Sequence, residues 1–490
     1  MSDAPPSAPP RVLGPDGLRG LFERVTSPYV VGVGARIGGQ IVAFALVMVA
    51  ARHLSLTEFG TYALAAAAGV IATTFVFTGL YHALLRSTDI EADRDTLFWL
   101  QAAVGLLGTL AIIATALAFG GLDTALGGAL FATALLPLLA VPNAWNEAQL
   151  VRAARARAAS LYVLASEALG LVAAILLLNA GWGLYALIAA RYVTVLTAIV
   201  MTVVLVRRVP RPRFAPQTLR RARGTALPLW GTSGIGMFSA YGADMVLAAF
   251  LSPAAVGAYR SGARIATTAS NVIFQPLSML SWSRFARLEQ EGDRQGITDA
   301  WASNMALSCA LLWPILAGVA LVAEDLVVTL FDPSWAAAAP VLAILCLSHA
   351  VAAPQALMEP MLMCLKRARL HVTLRVLRGL LLLVALLGIG RYGAPAAAWA
   401  MVLTAGVSSV IALAVVMRLL ALRPGRLLRI YWPGATLALG VAASIPLAAP
   451  WLNDLAPPTA LACHVTLGAA LWAAGMSALV RRNVLTIPKP

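Results

Sequence analysis

The chain has 490 residues, of which 60% are hydrophobic and 12% charged, with a mean hydropathy of +0.83. No set of soluble domains covers its surface from that pool, so the composition excludes a water-soluble protein of this length. The formal net charge of +15 raises nucleic acid or acidic lipid as a partner, and its placement along the chain decides between them.

Residues 1–17, "MSDAPPSAPPRVLGPDG", are proline-rich and poor in apolar side chains, the composition of a disordered segment. The following "LRGLFERVTSPY" has the pattern of a short helix lying on the inner membrane surface. Apolar stretches long enough to cross ~30 Å of hydrocarbon as helices then recur to the end. They predict α1 over 29–50, α2 over 61–84, α3 over 97–119, α4 over 124–142, α5 over 160–180, α6 over 183–206 and α7 over 225–250. α8 follows over 256–282, α9 over 301–323, α10 over 337–363, α11 over 372–390, α12 over 394–417, α13 over 431–449 and α14 over 456–480. No small-residue cleavage site follows α1, which reads as a retained span and not a signal peptide. α11 has the weakest pattern, because Arg375 and Arg378 occupy its first turns. The expected class is an all-α membrane protein with fourteen transmembrane helices.

Basic residues in short loops stay on the cytoplasmic side. Counting the first turns of α11 with the loop before it, all but six of the 36 Lys and Arg residues fall on the side of the amino terminus. Arg52 and Arg391 lie opposite, and Arg36, Arg191, Arg260 and Arg264 lie inside spans. This bias puts both termini in the cytoplasm. It also removes nucleic acid as a partner, since the charge is spread over many short loops at one face. The stretch "RRVPRPRFAPQTLRRAR" between α6 and α7 reads as an anchor to anionic lipid headgroups.

One turn is written twice: "LSLTEFGTY", Leu54 to Tyr62, returns as "LSPAAVGAY", Leu251 to Tyr259. Both copies follow an odd-numbered helix on the outer face. Ser55 with Glu58 makes a capping box, and Ser252 with Pro253 reaches the same end by a Ser cap and a Pro at the first helical position. Gly60 and Gly257 allow close helix approach. A second pair agrees: Glu147 is followed by Arg155-Ala156-Arg157 as Glu359 is by Arg367-Ala368-Arg369. The chain therefore divides into a tail (1–28), a first lobe of α1–α6 (29–206), a basic linker (207–224), a second lobe of α7–α12 (225–420) and an appendix of α13 and α14 with the carboxyl end (421–490). Two six-helix halves of equal orientation are related by a pseudo-twofold axis along the membrane normal, which suits a pathway between rocking lobes.

"GQIVAFALVMVAARHLSLTEFGTYALA" (Gly39 to Ala65) resembles the first hairpin of Wzx-type polysaccharide flippases of the multidrug/oligosaccharidyl-lipid/polysaccharide exporter superfamily, and "DMVLAAFLSPAAVGAYRSGARI" (Asp244 to Ile265) is similar to the start of their second half. The resemblance implies flipping of an undecaprenyl-diphosphate-linked oligosaccharide to the outer leaflet by alternating access, for O-antigen or exopolysaccharide synthesis. It implies membrane lipids, a polysaccharide polymerase and chain-length machinery as partners, no cofactor, and no enzymatic step. Related lipid II flippases line a central cavity with basic residues on their first and eighth helices, a pattern that Arg36 and Arg264 match.

An arginine inside a lipid-facing helix costs ~2.5–3.5 kcal/mol even on the lenient insertion scale, so the four need a wet or anionic surrounding. Two readings stand for each. Arg36, Arg264, Arg260 and Arg191 hold a diphosphate through forked hydrogen bonds; or Arg36 and Arg260 snorkel to the surfaces and Arg191 binds loop carbonyls. Asp244 reads as the buried partner of Arg264, or as a titratable group whose protonation frees Arg264 and couples transport to an ion gradient, a role for which Glu167 is the second candidate. Glu147 and Glu359 are expected to pair with the basic residues just beyond them. Pro137, Pro276, Pro314 and Pro354 are candidate kinks. Cys309, Cys346, Cys364 and Cys463 read as packing residues, and His82, His349 and His464 have no metal-ligand spacing.

Two rivals remain. A drug or organic-cation antiporter of the same superfamily calls for acidic or aromatic cavity groups, where this chain places Arg36. A membrane polymerase or ligase needs acids and bases on a sizeable outer loop, and the longest, "EDLVVTLFDPSW", offers Glu324, Asp325 and Asp332.

Overall fold

In a bilayer every backbone N–H and C=O needs an internal partner, and the computed structural model meets this with helices throughout its described residues, 28–87, 89–452, 455, 457–482 and 484–485. The proline-rich tail and the expected surface helix before residue 28 lie outside them. α1 runs Pro28–Ala51, α2 in two pieces Leu56–Val76 and Leu80–Arg86, α3 Ile90–Ala118, α4 in two pieces Ala125–Thr133 and Leu136–Arg152, α5 Ala156–Asn179 and α6 Leu184–Val206. In the second half α7 runs Pro216–Phe250, α8 Pro253–Gln290, α9 Arg294–Leu321, α10 in pieces Ala339–Ala352 and Met358–Cys364, α11 Ala368–Ile389 and α12 Ala394–Leu419, before α13 Pro424–Leu452 and α14 Pro457–Arg481. Eleven of these are long and apolar enough to cross a membrane. α1 contributes a shorter apolar stretch, Gly38–Ala51. α7 and α8 have 35 and 38 residues, so at 1.5 Å per residue their inner ends extend well beyond ~30 Å of hydrocarbon.

The breaks have local causes. Gly79 takes φ +56 between the pieces of α2, and a β-carbon there would stand 2.3 Å from the Trp230 indole nitrogen. α4 breaks at 134–135, just before Pro137, while Pro142 lies inside its second piece. Pro354 sits in the turn Ala353–Gln355 that splits α10. Pro276 and Pro314, expected to kink, stay within helices assigned without a break. The segment expected as an outer loop folds as a helix, Ala323–Leu330, and a 3-10 turn, Pro333–Ala338. Glu324 and Asp325 occupy its first turn, where carboxylates suit the helix dipole, and Ala323 and Val327 are buried.

The apolar core is joined at one face and divided at the other. At the face of the α1–α2 and α7–α8 turns, termed outer below, Leu54, Phe59 and Leu187 of the first half share one cluster with Val256, Tyr259 and Trp335 of the second. Toward the opposite face Leu84, Leu97 and Trp145 of the first half cluster with Ala222 and Ala226 of α7, and Trp301, Met305 and Met361 form a separate cluster. α13 and α14 lean on α9: a β-carbon on Gly434 would stand 2.8 Å from the Cys309 carbonyl carbon, and Trp472 Nε1 donates to the Ala310 carbonyl at 3.1 Å.

The basic stretch after α6 docks onto protein, where the sequence suggested lipid headgroups alone. Trp99 Nε1 donates to the Arg211 carbonyl at 2.9 Å, and the Ala215 N–H to Thr96 Oγ1 at 3.0 Å. Asp93 accepts from Thr218 Oγ1 at 2.6 Å and Arg221 Nη2 at 2.7 Å. Arg208 pairs with Glu91 at 3.2 Å. α7 already begins at Pro216, inside the linker expected over 207–224.

Candidate functional site

The repeated turn builds the outer end of the site. Ser55 and Glu58 form the reciprocal capping box, each satisfying the other's backbone N–H, and Ser252 accepts from the Ala255 N–H with Pro253 at the helix start. With α2 and α8 so begun, the two glycines bring the halves together backbone to backbone. A β-carbon on Gly60 would stand 1.8 Å from the Pro253 carbonyl oxygen, and one on Gly257 would stand 2.2 Å from the Leu56 carbonyl oxygen. Only glycine permits this approach.

Below the contact lies a charged cluster drawn from both halves. Asp244 of α7, 1% exposed, forms an ion pair with Arg260 of α8, 24% exposed, and the Arg260 guanidinium lies 4.2 Å over the Tyr241 ring. The sequence had assigned Asp244 to Arg264; the structure gives it to Arg260, one turn nearer the outer end, and Arg260 does not snorkel out. Arg264 is left with Nε and Nη2 buried and without a hydrogen-bond partner, within electrostatic reach of Tyr241, Arg260 and, across the lobes, Glu167. Arg191 of α6 bonds Glu167 of α5 at 3.0 Å and not loop carbonyls. Both line a cavity of about 520 Å³ in the first lobe with Tyr62, Thr73, Thr133 and Thr194. Tyr62 lies within reach of Arg191, Glu167 and Tyr241. Of the expected residues, Arg260 and Glu167 thus act on Arg264, and Asp244 and Arg191 join them as their ion-pair partners. The side chain of Arg36, on α1, lies outside the described residues.

Among the described residues Glu147 forms no ion pair with Arg152 or Arg155, and the side chain of Arg157 lies outside them. Glu147 accepts from Tyr81 Oη at 3.2 Å and Tyr162 Oη at 2.5 Å, two neutral donors that let a carboxylate sit inside the first lobe. Its repeat mate Glu359 is exposed and lines a separate cavity in the second lobe. Tyr62, Tyr81, Tyr162 and Tyr241 were not legible as site residues, since a tyrosine in an apolar run fits an interfacial belt equally well. Outside the spans, the Ser334 backbone N–H donates to Asp332 at 3.0 Å and holds its carboxyl below the usual range, while the hydrogen bond to Glu289 holds the Lys366 ammonium above its usual value. Among the described residues no three His, Cys, Asp or Glu side chains gather into a metal-binding group.

The chain is similar to several known proteins. Residues 49–340 match the model of the family described as polysaccharide biosynthesis protein. The succinoglycan biosynthesis transport protein ExoT of Rhizobium meliloti (strain 1021) is 26% identical over 317 residues, which cover 64% of this chain and 63% of that protein's own length. Among solved structures, a lipid II flippase MurJ in an inward closed conformation superposes with a TM-score of 0.75 over 92% of this chain and 98% of its own, at 11% identity. An inward-facing multidrug resistance MATE family transporter of the MOP superfamily gives a TM-score of 0.62 over 78% and 95%, at 15% identity. These chains carry the all-helical fold of the superfamily to which the two hairpins pointed. The chain belongs to the family described as polysaccharide biosynthesis protein, and its fold is that of these lipid II flippase and MATE transporter structures.

Proposed function

We propose that the chain is a flippase that carries an undecaprenyl-diphosphate-linked oligosaccharide from the cytoplasmic to the periplasmic leaflet of the inner membrane, for surface polysaccharide assembly. The observation that carries this reading is Arg264, a buried guanidinium with two unpartnered nitrogens where the lobes face each other. An arginine so placed is costly unless an anion completes it. Within the cluster the three arginines 191, 260 and 264 meet two carboxylates, Asp244 and Glu167, which leaves one positive charge over. That balance favours a phosphorylated cargo over the organic cation of an antiporter. Family membership and the relative named for succinoglycan transport support the same class of cargo. An enzyme on the outer face is disfavoured, since the segment that offered its acids is a folded helix and turn with Asp332 engaged as a cap.

In this mechanism both termini are cytoplasmic and the lobes are residues 29–206 and 225–420. The glycan enters between the divided inner cores while Gly60 and Gly257 seal the outer end. Its diphosphate docks on Arg264, with Arg36 as second partner. Protonation of Asp244 or Glu167 releases Arg260 or Arg191 toward the anion, which links occupancy to an ion gradient. Rocking of the lobes then parts the outer contact. The lipid tail stays in the bilayer, where a cavity of about 350 Å³ lined by Ile315, Val319, Val441 and Trp472 offers apolar surface. A polymerase and chain-length machinery receive the product.

Arg264→Ala is expected to abolish export and Arg264→Lys, which keeps charge without the fork, to retain part of it. Accumulation of unflipped carrier-linked sugar in cells with normal membrane levels of the variant is the measurement. Export by Arg264→Ala at the wild-type rate overturns the assignment.

A further inference from the structure

Arg375 and Arg378 blurred the sequence pattern of α11, and their surroundings explain why they stand there. Arg378 lies near mid-helix, ~15 Å from either end of Ala368–Ile389. Its Nη1 donates to Gln355 Oε1 at 3.1 Å, and Gln355 is held in turn by Nε2 donating to Ser409 Oγ at 2.8 Å and to the Ala405 carbonyl at 3.3 Å. Arg375, one turn toward the inner end, reaches α7: a β-carbon on Gly236 would stand 2.9 Å from its Nη2. Among the described residues neither guanidinium forms a salt bridge. Both line a cavity of about 280 Å³ between α10, α11 and α12, shared with Gln355, Glu359, His371 and Ser408.

The internal repeat sharpens the contrast. Glu167, which neutralises Arg191 in the first lobe, stands twenty residues after Glu147; the position twenty residues after Glu359 is Gly379, beside Arg378. The second lobe therefore has no carboxylate at the place of Glu167, and on the turn before it carries two guanidiniums, at the places of Val163 and Ser166, one of them aligned by a fixed amide. Two like charges one turn apart repel, and forked donors are shaped for phosphate or carboxylate oxygens.

We propose that this cavity is a second oxyanion subsite, which holds a phosphate or carboxylate of the transported headgroup apart from Arg264. It rests on the reading of the chain as a carrier of an anionic lipid-linked glycan. A bilayer phospholipid is the less suitable occupant, because its headgroup would have to leave the interface by ~10–15 Å to meet the two residues.

The test is calorimetric titration of the full chain in nanodiscs of neutral lipid, with inorganic pyrophosphate and, separately, glucuronate. The double variant R375Q/R378Q is expected to weaken one of the two probes about tenfold or more, while R391Q, at an exposed arginine outside this cavity, keeps that binding step. Loss of a pyrophosphate step assigns the subsite to a further phosphate of the headgroup, and loss of the glucuronate step assigns it to an acidic sugar. Q355A, which keeps both guanidiniums but frees Arg378, is expected to weaken the same step and serves if the double variant misfolds. Titrations of R375Q/R378Q or of Q355A that match wild type for both probes overturn the proposal, as does a site saturated by phosphatidylglycerol added to the nanodiscs and then closed to both probes. Because export by Arg264→Ala is read separately, failure of the flippase reading and failure of the subsite give different results.

Discussion

Asp244 and Arg260 show what a buried charge does when it has one partner. Removing one member of such a pair strands the other and costs ~3–5 kcal/mol, whereas removing both is much less damaging. Asp244→Ala is therefore expected to lower the unfolding temperature in detergent by several degrees, and Asp244→Ala with Arg260→Met to recover most of the loss; a double variant no more stable than the single one contradicts this account. Hydropathy exposed the membrane arginines in the sequence, because a charge in an apolar run is conspicuous. Their partners were harder to read. Arg260 and Arg264 share a helix face, so spacing alone cannot say which of them faces Asp244, and Glu167 meets Arg191 only because α5 and α6 pack side by side. Glu147 found tyrosines because α2 and α5 bring Tyr81 and Tyr162 to it, a meeting no linear pattern records.

The helices were legible where apolar length decides and less so where backbone detail does. The capping box at Ser55 and the Ser252–Pro253 start follow from residue types that satisfy orphan N–H groups, and both form as read. Pro137 and Pro354 marked the places where α4 and α10 split; the splitting of α2 was not visible, since it depends on what packs beside it, as Trp230 does at Gly79. α7 and α8 run longer than the hydrocarbon span because their polar inner extensions continue a helical ladder beyond it. The close crossing of α2 and α8 makes a direct prediction. Gly60→Val is expected to hold the outer ends apart, raise labelling of an outer-face cysteine introduced beside the contact, and depress export severalfold. Unchanged labelling would mean that α2 and α8 cross elsewhere.

At the scale of the molecule, the two lobes are joined by a stretch fastened to the inner end of α3. Asp93 holds Thr218 and Arg221, and Glu91 holds Arg208. Net charge placed this stretch at the inner face; it could not show that acids on a distant helix receive it. Asp93→Ala is expected to leave cargo binding unchanged while altering the rate of lobe movement, seen as a changed export rate at equal probe affinity; a loss of affinity instead would make the fastening part of the binding site. The outer contact has a different character. It is self-complementary, the same turn meeting its own copy about the axis as subunits do in a twofold dimer, and main chain touches main chain at Gly60 and Pro253 and again at Gly257 and Leu56. A bulky residue on one side therefore finds no opposing side chain to be trimmed in compensation, so relief can come only from a shift of whole helices, and the contact tolerates error at two positions far less than its apolar surroundings do.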